Sequence, residues 1–93
     1  MEYSRKLKEH IKNLWADLLE LSERRYYEVE YRGKSVIYNG AITLIIYSHM
    51  FNTEYWDELI DTISRNNLKI EHWFMEVRHN EIKLYLWLSL KEV

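Results

Sequence analysis

From Ile82 to Lys91 the side chains alternate without a break. Ile82, Leu84, Leu86, Leu88 and Leu90 share one side, and Lys83, Tyr85, Trp87, Ser89 and Lys91 share the other. A period of two marks a β-strand, whose successive side chains leave opposite faces. A hairpin turn at His79-Asn80 sets Val77 opposite Ile82, Met75 opposite Leu84 and Trp73 opposite Leu86, an apolar face suited to a core. The reverse face then carries Arg78 opposite Glu81, Glu76 opposite Lys83, Phe74 opposite Tyr85, His72 opposite Trp87 and Ile70 opposite Ser89. A sheet in a small domain needs cover on one side only. Here the second side holds aromatics that must also be covered, by a helix, a twin subunit or a partner.

The preceding chain supplies the cover for the first side. Tyr3, Leu7, Ile11, Leu14, Trp15, Leu18 and Leu21 recur at spacings of three and four, so a helix is expected from Tyr3 to about Ser22. From Arg25 the period changes to two, with Tyr27, Val29 and Tyr31 on one face. Arg32-Gly33-Lys34 and Asn39-Gly40 offer tight turns, and a chain with two glycines and no proline has few others. The simplest arrangement is a meander of three strands, ending at Arg32, running from Lys34 to Tyr38, and running from Ala41 to Ser48. The competing arrangement is one strand from Lys34 to Ser48 with a bulge at Gly40. Asn52 or Thr53 caps a second helix that runs to about Asn66, with Trp56, Leu59, Ile60 and Ile63 as its buried stripe, and Asn66-Asn67 supplies a left-handed stop.

The order is therefore α-β-β-β-α-β-β: an α+β fold with an antiparallel sheet of about five strands and two amphipathic helices packed on one face. Ninety-three residues make a single domain, 1–93, with one core.

Composition narrows the function classes. A formal net charge of −2, with both signs interspersed, argues against binding of duplex nucleic acid through a basic excess. The absence of cysteine removes disulfides, thiolate catalysis and thiolate zinc sites. Met1 to Lys6 lead into an amphipathic helix, not an apolar core, so no signal peptide is expected. The apolar stretch from Ala41 to Tyr47 is too short to span a bilayer, and a cytoplasmic location is expected. Eight Tyr and four Trp against two Phe favour rings with a polar tip, which suit half-buried surfaces and interfaces.

Two surfaces stand out. Ile70, His72, Phe74, Tyr85 and Trp87 on the reverse face of the hairpin form a candidate homodimer interface. Glu54, Asp57, Glu58 and Asp61, at i, i+3, i+4 and i+7 of the second helix, form an acidic stripe able to meet a basic protein partner. Lys83 and Lys91 beside Tyr85 and Trp87 offer an alternative, single-stranded nucleic acid stacked on the sheet, which Glu71, Glu76 and Glu81 oppose. His10, His49, His72 and His79 are scattered with no paired spacing, so neither metal nor cofactor is expected. No GxSxG, P-loop or dinucleotide fingerprint occurs, and no catalytic residue is assigned.

In style, a small single-domain chain rich in Tyr, Trp, Ile and charge resembles the proteins that viruses and mobile elements encode. Inhibitors of host defence such as anti-CRISPR proteins are among them, and they work by binding and blocking. The resemblance implies a non-enzymatic interaction module acting on a host protein, in the host cytoplasm if the source is viral.

Overall fold

The structure is a computed structural model that describes residues 2–24 and 40–92. Helix α1 runs over Glu2–Arg24 and strand β1 over Ala41–Tyr47. A 3-10 turn at Ser48–Met50 leads to helix α2, Thr53–Arg65, followed by strands β2, Leu68–Arg78, and β3, Glu81–Leu90. The described sheet is antiparallel with three strands in the order β1-β3-β2. The α+β class holds, but the described sheet is smaller than the expected sheet of about five strands. The two strands expected before residue 39 lie outside the described residues, as does the Arg32-Gly33-Lys34 turn. Gly40 is described, in the left-handed region at φ 74°, and β1 starts immediately after it.

β3 is the central strand of the described sheet, paired with β1 on one side and β2 on the other. Ile82, Leu84, Leu86, Leu88 and Leu90 are all buried beneath the helices. β1 adds Ile42, Leu44 and Ile46 on the same side, opposite Leu86, Leu84 and Ile82. Leu7, Ile11, Leu14 and Leu18 of α1 and Tyr55, Leu59 and Ile63 of α2 close the core above them. Each such side chain stabilises the fold by roughly 1.5–3 kcal/mol relative to exposure.

α2 is rotated relative to the expected stripe. Leu59 and Ile63 are buried as expected, but Tyr55 is the third anchor, and Ile60 is exposed. Thr62 is also buried, which it tolerates because its hydroxyl donates to the Glu58 carbonyl at 2.7 Å. The cap is Asn52, whose Oδ1 accepts from the Tyr55 backbone N–H at 2.8 Å. After the helix, Asn67 turns the chain in the left-handed region at φ 57°. Its side chain then clamps the end of β3, donating to the Glu92 carbonyl and accepting from the Glu92 N–H, each at 3.1 Å. Asn66 ties the helices together by donating from Nδ2 to Asp17 Oδ2 at 2.9 Å.

The hairpin turns at His79-Asn80, and the register from His72 to Arg78 is the one expected, with Phe74 opposite Tyr85 and His72 opposite Trp87. Beyond that point a bulge at Glu71 shifts the pairing, so Ile70 faces Leu88 and Lys69 faces Ser89. Ile70 is therefore on the helix side, packed against the core, and does not belong to the reverse face. The bulge flips the strand's faces because one extra residue inverts a period of two.

Candidate interaction surfaces

The reverse face of the sheet is built by the side chains of β3 and β2 that point away from the helices. Phe74 and Tyr85 lie directly opposite one another, ring centroids 5.9 Å apart, and His72 lies on Trp87 at 5.1 Å. Cross-strand pairs of this kind stabilise a hairpin by ~0.2–1 kcal/mol each. They leave the outer surfaces of the rings open: Phe74 is 51% exposed and Trp87 38%. Neither described helix crosses this side, since the buried residues of both pack on the opposite face. His72, Phe74, Tyr85 and Trp87 are thus brought together as the sequence implied, and Ile70 is not.

Polar groups frame these rings. The Tyr85 hydroxyl donates to Glu76 Oε1 at 3.2 Å, and Arg78 Nη2 meets Glu76 Oε2 at 3.3 Å. Lys83 Nζ stands 6.0 Å from the centre of the Tyr85 ring, at the outer limit of a cation–π contact. At the bulge the Ser89 hydroxyl donates to Glu71 Oε1 at 2.6 Å, and Lys69 Nζ lies 3.4 Å from the same oxygen. The Ser89 hydrogen bond, followed by the Lys69 contact, holds the Glu71 carboxyl below its ordinary range.

A second apolar surface lies on the helix side, where the sequence implied core. Trp73 is 51% exposed and Val77 67%, because α2 covers only part of β2. Trp73 meets Trp56 edge to face at 6.5 Å, and Trp56 meets Phe51 at 5.9 Å. With Met75 and the first residues of α2 they line an open groove of about 500 Å³. The alternating pattern could reveal which side Trp73 leaves the strand, but not where the helix above it stops.

The acidic stripe of α2 is divided. Glu54 and Asp57 are exposed near the N-terminal end, where the helix dipole favours them. Asp61 is paired with Arg65, Oδ2 to Nε 3.1 Å, and Glu58 turns toward a polar cleft that it shares with Asp17, Glu20, Arg24 and Arg65. Glu20 and Arg24 form a further ion pair within α1. Two arginines of the chain itself thus offset part of the negative charge.

Among the described residues no three His, Asp or Glu side chains converge to hold a metal ion. No helix of the described residues is long and apolar enough to cross a membrane. Comparison with known proteins finds no matching family model, no matching curated protein and no matching solved structure.

Proposed function

We propose that the chain is a non-enzymatic protein-interaction module that self-associates through His72, Phe74, Tyr85 and Trp87. The observation that carries the proposal is the half-exposure of Phe74 and Trp87 on a sheet face that neither described helix covers. Each of these rings leaves roughly 100 Å² open, about half the area that such a side chain can bury. Covering the four rings of two copies would contribute about 10 kcal/mol, against an association cost of about 4–15 kcal/mol. Such a balance suits a reversible contact.

Glu54 and Asp57, the exposed end of the acidic stripe, would face a basic protein partner, with Glu58 and Asp61 partly neutralised by Arg65 and its neighbours. Binding and blocking a host protein in the cytoplasm, after the fashion of an anti-CRISPR protein, is the biological role that this reading fits. Single-stranded nucleic acid suits the face less well, because Glu76 sits beside Tyr85 and Glu71 rims the bulge.

Light scattering on the parent and on Trp87→Glu tests the self-association. The parent should give the mass of an oligomer at micromolar concentration, and the variant should lose mass. A monomeric parent removes the proposal. For the acidic end, anisotropy of a labelled polylysine peptide should report binding that weakens severalfold on Glu54→Lys with Asp57→Lys. Unchanged binding removes α2 as a docking surface.

A further inference from the structure

The unshared edge of β2 is an unusual edge strand. Among the described residues β2 hydrogen-bonds with β3 alone, so one row of its backbone N–H and C=O groups is left without a strand partner there. Edges of this kind are ordinarily blunted by proline, by inward-pointing charges or by lysine. The chain has no proline, the one lysine of β2, Lys69, lies at its start, and Trp73, Phe74 and Met75 occupy its middle. The bulge at Glu71 disturbs only the beginning of β2, leaving His72 to Arg78 in regular register.

We propose that this edge pairs with the same edge of a second copy, antiparallel about a two-fold axis at Phe74, to give one continuous sheet through two molecules. The register follows from the sequence. Residues opposite one another in an antiparallel pair must leave the same side of the sheet. The axis must therefore pass at a residue and not between two. Centring it on Phe74 sets Phe74 against its own copy on the outer side and Trp73 against Met75 on the helix side. It also sets His72 against Glu76, a donor against a carboxylate, and the symmetry repeats the last two pairs. Centring on Trp73 sets Met75 against the bulged Glu71. Centring on Met75 sets Phe74 against Glu76 and His72 against Arg78, and centring on Glu76 sets two carboxylates together. The Phe74 axis alone gives matched pairs on both sides from His72 to Glu76, and its pairing ends where Val77 would meet the bulged Glu71.

The groove beside the edge fits the same occupant. Phe51, Trp56, Trp73 and Met75 line it on the helix side of β2, where the second copy's Met75 and Trp73 would arrive. A second copy thereby covers Trp73, which α2 leaves half-exposed. This contact uses the edge and the helix side and shares only Phe74 with the outer-face contact, so a copy that makes both contacts would join two neighbours.

Sedimentation velocity on Trp87→Glu, on Trp73→Lys with Val77→Lys, and on all three together separates the two contacts. Trp87→Glu should remain a dimer held by the edge, and adding the lysines should make it a monomer. A monomeric Trp87→Glu protein overturns the edge proposal and leaves the outer-face reading standing. A Trp87→Glu dimer indifferent to the lysines also overturns it. Should the lysines alone yield a monomer, the edge stands and the outer-face reading fails. Because the chain has no cysteine, cross-linking gives a second readout that does not depend on the lysine variants. Under mild oxidation Phe74→Cys, in the Trp87→Glu background, should form a covalent dimer at least tenfold faster than Thr43→Cys, since opposite residues of a strand pair have Cα atoms ~4.5–5.5 Å apart. Equal rates would overturn the axis at Phe74.

Discussion

Gly40 has little freedom to change. A Cβ at this position would lie 2.2 Å from the carbonyl oxygen of Leu88, a backbone atom of the central strand. That strand cannot retreat, because the Leu88 N–H also donates to the Gly40 carbonyl at 2.8 Å. Together with φ 74°, this means that Gly40→Ala should destabilise the fold by about 2 kcal/mol or more. Thermal unfolding should show a midpoint lower by roughly 10 °C. A change of a degree or two would mean that the start of β1 is not held as described. Glu71 offers a test by pH. Its carboxyl is held below the ordinary range by the Ser89 hydroxyl and then by Lys69, so the stabilisation is present above the unfolded carboxyl's pKa and fades as pH falls through the lower folded value. Ser89→Ala should move the Glu71 titration, followed by NMR, upward toward that of a free glutamate. An unmoved titration would show that the 2.6 Å hydrogen bond does not form in solution.

At the scale of elements, α2 and β2 show what a repeating pattern conveys and what it omits. Leu59 and Ile63 were legible as core because they belong to the apolar stripe in either phase of the helix. The choice between Tyr55 and Ile60 was not, since Trp56 and Ile60 look more apolar than Tyr55 and Thr62. The helix turns Tyr55 inward all the same, and Thr62 follows because its hydroxyl finds the Glu58 carbonyl. Substituting alanine separates the phases: Leu59→Ala should cost ~2–5 kcal/mol, while Ile60→Ala, on the exposed side, should cost under about 1 kcal/mol. Similar losses in urea unfolding would contradict the observed rotation. Hairpin register was legible for a different reason. A two-residue turn fixes every pair beyond it until something intervenes. What intervened was the bulge at Glu71, at a position with neither glycine nor any other local signal, and Ile70 changed sides with it.

For the whole molecule, the division into a covered and an open side of the sheet was implied by Ile82 to Leu90 alone. The extent of cover was not, because where a helix ends above a strand depends on loop length and packing. So Trp73 and Val77 occupy the helix side without being buried, and the molecule offers apolar surface on both sides of β2. The acidic stripe was legible as a pattern; Asp61 meets Arg65 one turn along the same helix, whereas the cleft that Glu58 shares with Arg24 depends on how α1 lies against α2. Self-association through the outer face requires Phe74 and Trp87 to be open in a single copy and covered when copies meet. Hydroxyl-radical footprinting read by mass spectrometry measures this directly, residue by residue, as protein concentration is raised. Oxidation of Phe74 and Trp87 should fall severalfold from dilute to concentrated samples, while oxidation of Tyr3 on α1 stays constant. Rates at Phe74 and Trp87 that do not change with concentration would contradict the account.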